Sequence, residues 1–573
     1  MWWLTDPVRL KQEVAAIGAL REQEAWLCAA TPRLFEDLKF AFDFDLVVND
    51  ETFPFRLEYP ALFPESPARI IPRDGRRLSN HQYGDGGELC LEFRSDNWDP
   101  SVSGAMMIES TYRLLSGERP ARDERAVVPS AHFSSLGQEL RGCSFRFLLT
   151  RALLDFGREL PTRSCRDCKI IEVAAPRKVW TAYVAEVGPT EAPEWRESAI
   201  PPRAYKGEHG VLLRVETLEG VPPDPDGAAL DGLVARLRQP DLANPSDSTY
   251  RFIVIMDAVS ARTFYSFSKD GERIVIPYKT IDFTDDNERR LSETYEILSQ
   301  KKVGIVGGGS LGSKIAAGLA RSGVAGFVLV DDDIMKPGNL VRHELDADSL
   351  GMHKVDALKV RLQAIAPNVQ VSVRRVALGG QEASGTTASV LDELATCDLL
   401  IDATADPQAF NFVAGVARNA LRPMIWAEVF SGGIGGFVAR LRPNIEPPPH
   451  AARRQYLGWC RGQAVPWSGH DHDYRGRGAG DRTLVADDGD VAVIAAHATR
   501  MTIDVLVRPG ESLFPHPAYA IGLSREWIFD APFDARPIDF VPEGEWQNPR
   551  SQARAEEAAE FMVSLIESSK RAG

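Results

Sequence analysis

Residues 301–333, KKVGIVGGGSLGSKIAAGLARSGVAGFVLVDDD, decide how this chain is read. The run Val303–Val306 is short and apolar, as a buried strand requires. Gly307, Gly309 and Gly312 follow in G-x-G-x-x-G spacing, then an alanine-rich helical stretch, then a second apolar strand that stops at Asp331. Glycines permit a tight turn and close backbone approach. A helix N-terminus behind them offers N–H donors and a positive dipole end to phosphate. Asp331 stands where a carboxylate can hold a ribose hydroxyl. Strand, glycine loop, helix and strand together predict a βαβ unit on a parallel sheet, with a nucleotide at its edge. Up to this point an NAD-dependent oxidoreductase fits equally well.

The residues that follow separate the readings. Residues 331–354, DDDIMKPGNLVRHELDADSLGMHK, hold a D-x-D pair (Asp331, Asp333), an N-L-x-R element (Asn339, Arg342) and a G-x-x-K ending at Lys354. A later stretch, CDLLIDATAD at 397–406, ends in Asp406. This order resembles the adenylation domain of ubiquitin-activating enzymes and of bacterial sulfur-carrier adenylyltransferases. CDLLIDATAD is similar to that family's D-x-T-D element, with one extra residue, Ala405. The resemblance implies a C-terminal α/β Rossmann-like adenylation domain over 286–573, with ATP and Mg²⁺ as cofactors. It assigns ATP to Gly307, Gly309, Gly312, Asp331, Asp333, Asn339, Arg342, Lys354 and Asp406. Arg342 and Lys354 would neutralise charge moving onto pyrophosphate, and Asp406 would hold Mg²⁺, which favours a carboxylate or two beside phosphate oxygens. It also implies an arginine before the first strand, for which Arg289 and Arg290 are candidates. An oxidoreductase leaves Arg342, Lys354 and Asp406 without a task. The two-CxxC zinc site of many bacterial relatives is absent; Cys165 and Cys168 form a single CxxC, half of such a site.

The N-terminal part carries a second pattern. An amphipathic helix is expected at 6–30, strands in FDLVVND and FPFRLEYP, then a proline-punctuated loop and a helix at 104–116. Residues 80–101, NHQYGDGGELCLEFRSDNWDPS, place Cys90 before Leu91, with Trp98 and Pro100 downstream. This resembles ubiquitin-conjugating enzymes, an α+β family whose catalytic cysteine stands in such a context. The resemblance covers 1–125 and implies Cys90 as the nucleophile. The family's His-Pro-Asn is replaced by Asn80-His81-Gln82. Gln82 is then expected to donate a hydrogen bond to the oxyanion, and His81 to orient the loop or act on the incoming amine.

In activating enzymes, the chain after the sheet crosses the adenylate and can present a cysteine. Cys460 is the single cysteine in residues 450–490, and Arg453, Arg454 and Arg461 are expected to favour its thiolate. His470 and His472 read as solvated loop residues. Residues 126–285 form a linker and an α/β middle domain, with a helix near 137–158 and strands within 210–283. The fold class is therefore multidomain.

Taken together, the pattern resembles bacterial fusions of conjugating and activating domains found in antiphage defence. Such a fusion implies activation of a ubiquitin-like protein or a cyclic-nucleotide synthase (a CD-NTase-like cyclase), relay through Cys460 and Cys90, and delivery to a lysine-bearing target. A homodimer is expected. The alternative is a non-catalytic ATP-binding scaffold with a degenerate conjugating domain.

Composition limits the rest. The 573 residues predict several domains, and 44% hydrophobic with 26% charged residues is ordinary globular usage. A net charge of −15 argues against nucleic acid or an anionic membrane as partner. No apolar run reaches the ~18 residues of a spanning helix. The start, MWWLTDPVRLKQE, lacks a signal-peptide pattern. Seven irregularly spaced cysteines suit a reducing cytoplasm rather than a disulfide framework.

Overall fold

The computed structural model describes residues 1–573 apart from 80, 85, 120–135, 176–178, 199, 201–206, 238–250, 284–290, 464–474, 478–482, 547–551 and 572–573. Arg289, Arg290, His470 and His472 lie outside the described residues. The chain forms two compact units, Met1–Cys143 and Ser144–Gly573.

The first unit begins with helix α1 (Pro7–Gln23), where Asp6 caps the N-terminus by accepting the Arg9 N–H and Pro7 takes the first position. An antiparallel meander follows: β1 (Leu27–Leu34), β2 (Phe40–Val48), β3 (Glu51–Glu58) and β4 (Arg69–Pro72). Helix α2 (Gly104–Glu118) follows, with a single helical turn at Leu136–Glu139 near the end of the unit. The single helix expected over 6–30 thus ends at Gln23, because Leu27 is drawn into register with Leu46 of β2. Phe44 and Phe55 face each other across β2 and β3 and are fully buried. The buried carboxylate of Glu13 on α1 accepts from Arg9 Nε (2.9 Å), Tyr59 O–H (2.7 Å) and Gly104 N–H (2.6 Å), which ties α1 to the start of α2.

The second unit contains two large sheets and a short two-stranded pair, Arg475–Arg477 with Thr483–Val485. The first comprises β5 (Phe145–Thr150), β6 (Cys165–Ala175), β7 (Val179–Val187), β8 (Glu208–Arg214), β9 (Phe252–Met256), β10 (Ala261–Lys269) and β11 (Glu272–Phe283), with α3 (Arg151–Glu159) and α4 (Gly227–Leu237). Its order is β7-β5-β11-β10-β9-β8-β6, and β6 also pairs with β7, so the sheet closes on itself. The α/β expectation for this region is therefore corrected: it is a closed, mainly antiparallel sheet with two helices. The helix expected near 137–158 is instead strand β5 followed by α3, which starts where Thr150 Oγ1 accepts the Leu153 N–H. Residues 145–150 are an apolar run, and periodicity alone cannot divide such a run between helix and strand.

The second sheet is doubly wound. Its elements are β12 (Lys302–Val306), α5 (Ser310–Arg321), β13 (Gly326–Val330), α6 (Lys354–Ile365), β14 (Gln370–Arg374), α7 (Ser384–Ala395), β15 (Leu399–Asp402), α8 (Pro407–Ala420), β16 (Met424–Val429), β17 (Gly435–Leu441), α9 (Pro449–Arg461), α10 (Asp488–Val507), β18 (Ala518–Gly522) and β19 (Ala535–Ile538). The order is β14-β13-β12-β15-β16-β17-β18-β19; β14 through β16 run parallel and the rest antiparallel. Helices α5, α6 and α10 cover one face, and α7, α8 and α9 the other. The order in which strands are added reverses between the parallel strands β12 and β15, the topological switch point where open α/β sheets hold ligands. A final helix, α11 (Gln552–Arg571), follows.

Candidate active site at the switch point

Val306 pairs with Val330 on one side and with Asp402 on the other, so Gly307, Asp331 and Ala403 stand in one row beyond the strand ends. Gly307 has φ +95°, and a Cβ there would lie 2.9 Å from the Ala403 carbonyl oxygen. A Cβ on Gly312 would lie 1.9 Å from the Gly307 carbonyl oxygen, so only glycine lets α5 start this close to the loop. Gly309 caps α5.

Asp331 clamps this loop. Its Oδ2 accepts the Gly308 N–H and its Oδ1 the Asp333 N–H, each at 2.8 Å. Burial raises its pKa above the ordinary carboxylate range, against the pull of those two N–H donors and of Lys354. Asp333 behaves oppositely. It accepts Lys354 Nζ at 2.6 Å and Lys336 Nζ at 2.9 Å, and although burial works against ionisation these partners bring its pKa down to about 2. Lys354 is buried at the first position of α6, where a cation opposes the helix dipole. A buried cation in that unfavourable place, held by one carboxylate, is a marker of function rather than of stability.

Asn339 Oδ1 accepts the Lys336 N–H at 2.9 Å and shapes the turn carrying Arg342, which is half-buried. The next residue, His343, was not singled out by sequence reasoning. It is buried; its Nε2 meets the Gly308 carbonyl at 2.9 Å while Nδ1 accepts the Leu345 N–H at 3.2 Å. That pair of partners selects the Nε2–H tautomer. Burial first, then the positive charges of Lys354 and Lys314, lowers its pKa to about 4, so the imidazole is neutral. His343 thus joins the glycine loop to the Asn339–Arg342 turn. Its only sequence signal was adjacency to Arg342.

Asp406 is placed differently from expectation. The extra residue, Ala405, adopts φ +55°, and Asp406 becomes the N-cap of α8, its Oδ1 accepting the Gln408 N–H at 2.8 Å. The fully buried carboxylate at this strand end is Asp402. Its Oδ1 accepts Thr404 O–H (2.6 Å) and N–H (3.0 Å), while its Oδ2 is buried with no hydrogen-bond partner. Burial raises its pKa to about 6. An orphaned carboxylate oxygen near a second carboxylate is a hard-oxygen donor set of the kind Mg²⁺ takes. Among the described residues no group of three or more His, Cys, Asp or Glu could hold a metal by itself.

Asp402 is in register with Trp426, so Glu428, two residues further along β16, shares its face. Glu428 accepts the Tyr456 O–H at 3.1 Å, and burial raises its pKa to about 7. Cys460 lies beneath this network. It is 3% exposed in the last turn of α9, and burial raises its thiol pKa to about 11. The expected thiolate is therefore corrected. Arg454 pairs with Glu543 at 2.6 Å and the Arg453 guanidinium lies over the Phe410 ring, leaving Arg461 to act weakly in that direction.

In the first unit, Cys90 is 8% exposed, and burial raises its pKa while Arg94 pulls it back. Its N–H donates to the His81 carbonyl at 2.7 Å. Gln82 faces its own loop: Oε1 accepts the N–H groups of Leu78 and Ser79, and Nε2 donates to the carbonyls of Gly87 (3.0 Å) and Arg76 (3.4 Å). Both amide protons are engaged, so in this geometry Gln82 shapes the loop and has no proton left for an oxyanion. His81 is buried, with Nε2 4.0 Å from the Glu118 carboxylate. Trp98 Nε1 donates to the Pro64 carbonyl at 2.7 Å, pinning the proline-rich loop beside the cysteine segment. Cys165 and Cys168 lie on β6 in the other unit, Cys168 buried; Cys28 is exposed.

The doubly wound sheet carries a clamped glycine loop and an Asp–Lys pair at its switch point, where open α/β sheets hold their ligands. Residues 287–455 match the model of the ThiF family and form a ThiF-type, ubiquitin-activating-like domain within a longer chain. The chain is 29% identical over 222 residues to the uncharacterised protein y4qC of Sinorhizobium fredii (strain NBRC 101917 / NGR234), covering 37% of this chain and 38% of that protein. It is 35% identical over 136 residues to the ATP-dependent ubiquitin transferase-like protein Cap2 of Enterobacter hormaechei subsp. hoffmannii (strain UCI 50), covering 24% and 22%. E. coli MccB with ATP aligns at 17% identity and a TM-score of 0.33, over 44% of this chain and 66% of that one. The chain thus spans 22% to 38% of the length of these two curated relatives. No helix among the described residues is long and apolar enough to cross a membrane.

Proposed function

We propose that the chain binds ATP·Mg²⁺ at the switch point, adenylates the C-terminal carboxylate of a protein, and passes the acyl group to Cys90 for delivery to a lysine amine. The observation that carries this reading is the ion pair between Asp333 and the buried Lys354, beside a glycine loop clamped by Asp331 and His343. In the first step a carboxylate oxygen bonds to the α-phosphorus and pyrophosphate leaves. Lys354 and Arg342 then stabilise charge that develops on the leaving group. Asp402 and Asp406 would hold Mg²⁺, which supplies further neutralisation of the phosphates. In the second step a thiolate attacks the acyl carbon, AMP leaves, and the thiol proton passes to solvent or to a neighbouring base. An amine then displaces the thiolate.

A ubiquitin-like protein or a cyclic-nucleotide synthase is the substrate class, and antiphage defence the setting, that Cap2-like chains suggest. Cys460 accepts the acyl group in this scheme only if the last turn of α9 opens, since its thiol is buried. The saturated amide of Gln82 and the buried Cys460 favour a second reading, a scaffold that binds ATP without acyl transfer.

Non-reducing intact-mass analysis of the chain recovered from its host with ATP separates the two. The first reading expects a DTT-labile adduct that is lost in Cys90→Ala. ATP binding with no adduct in the wild type establishes the scaffold.

A further inference from the structure

Burial alone would keep the Cys90 thiol a neutral S–H, so a nucleophile at this position needs a cation beside it. Gln82 gives no help, because the loop engages both of its amide protons. Arg94, four residues on, does meet the sulfur: its guanidinium donates a hydrogen bond to the Cys90 side chain. The turn that carries Arg94 is built to hold it there. Asn97 Oδ1 accepts the Arg94 N–H at 2.7 Å, the Asn97 N–H donates to the Arg94 carbonyl at 3.2 Å, and Asn97 Nδ2 donates to the Glu92 carbonyl at 2.8 Å. One side chain thus pins both ends of the turn. From the solvent side, Asp96 Oδ2 accepts from Arg94 Nη2 at 3.2 Å and tethers the half-buried guanidinium. We propose that Arg94 is a catalytic residue of the conjugating step, holding the negative charge of the Cys90 sulfur both when the thiolate attacks and when it leaves.

The role rests on the acyl-transfer reading above. In loading, the thiol proton goes to solvent, the C–S bond forms, and the C–O bond to AMP breaks. In discharge, an amine nitrogen bonds to the acyl carbon, the C–S bond breaks, and its electron pair returns to the sulfur. The amine proton goes to solvent, and the guanidinium stays protonated throughout. The other ionisable groups that bear on the thiol are few. Asp96 opposes Arg94 by its negative charge. Tyr83, on the paired hairpin strand, is kept a neutral phenol by burial and then by Glu88. His81 meets Cys90 through its backbone carbonyl, and its ring faces Glu118. At Cys460, by contrast, the hydrogen-bonding partner is the neutral Tyr456, and Arg461 exerts only a weak charge effect.

The test is the pH profile of Cys90 alkylation by iodoacetamide in the full chain without ATP, read by peptide mass spectrometry. Arg94→Ala is expected to raise the midpoint by about one pH unit, roughly a tenfold loss of thiolate at neutral pH. Asp96→Asn, at an exposed position, is expected to lower it by about half a unit, because the opposing charge is removed. A merely loosened turn would move both variants the same way, so shifts of opposite sign isolate the charge on the sulfur. With ATP and the substrate present in the host, the DTT-labile adduct is expected to form roughly tenfold more slowly in Arg94→Ala, at unchanged ATP affinity. Equal midpoints for wild type and Arg94→Ala would overturn the role of Arg94 and leave the acyl-transfer reading standing. So would adduct formation at the wild-type rate in that variant. No adduct in the wild type, with both midpoints shifted as expected, would overturn the acyl-transfer reading and the catalytic step with it, leaving Arg94 as the group that ionises the thiol.

Discussion

The glycine loop near Gly307 and the cysteine loop near Cys90 are both short, glycine-bearing turns, but they use their polar side chains differently. At the first, the side chains that hold the loop, Asp331 and His343, come from other segments, and the charged pair Asp333–Lys354 stands beside it. At the second, the loop is held chiefly by its own Gln82, with Arg119 donating to the Leu78 carbonyl, and the thiol it carries is nearly buried. A loop braced from outside keeps its shape at the cost of the Gly307 and Gly308 N–H groups, which donate to Val330 and Asp331. A loop braced from within depends on each of its own polar groups. Under the proposed function the first is a preorganised anion site, and the second must change its geometry before a thioester forms.

This contrast can be broken by substitution. Lys354→Ala leaves Asp333 without its closest cation, and we expect acyl-adenylate formation to fall about 10²-fold, with weaker ATP binding by calorimetry. Unchanged ATP affinity in that variant would remove the switch point from the chemistry. Gly312→Ala sets a methyl group against the Gly307 carbonyl. We expect a destabilisation of about 1–3 kcal/mol, read as a lower melting temperature that added ATP recovers poorly.

The cysteine loop gives a smaller effect. Gln82→Ala leaves the Leu78 and Ser79 N–H groups without an acceptor, and about 1–2 kcal/mol of local stability should be lost. Exchange of those amides by hydrogen–deuterium mass spectrometry should rise while ATP binding stays constant. A change in ATP affinity would contradict separate bracing of the two loops.

A further effect, confined to acid pH, is the dependence of stability on pH. His343 has its pKa lowered from 6.5 to about 4, so between those values the unfolded chain binds more protons than the folded one. Its contribution is complete above pH 6.5 and is lost as pH falls toward 4. His343→Gln should flatten that part of the stability curve, measured by urea denaturation at several pH values. Asp333, with a depressed pKa, acts lower: its contribution is present above the ordinary 3.8 and is lost as pH falls toward 2. An identical slope for His343→Gln and wild type between pH 6.5 and 4 would mean that the imidazole is not held neutral.

The amino-acid sequence by itself determined the doubly wound sheet, because strand, glycine loop and helix follow one another within residues 301–333 and each is specified by local chemistry. Through the resemblance that the D-x-D and G-x-x-K elements carry it also named Asp333 and Lys354, though not that the two pair. The tertiary structure decided what local pattern cannot encode. It ended α1 at Gln23 in favour of β1, whose partner lies across the meander, and closed the middle sheet through the long-range pairing of β6 with β7. It made Asp406 a helix cap and left Asp402 with the orphaned oxygen, because one inserted residue reorients everything after it. It also buried Cys460 beneath Tyr456 and Glu428, and burial outweighed the arginines beside it in the chain. Charges near in sequence are read as neighbours, but a side chain's ionisation follows the solvent and partners that folding leaves it.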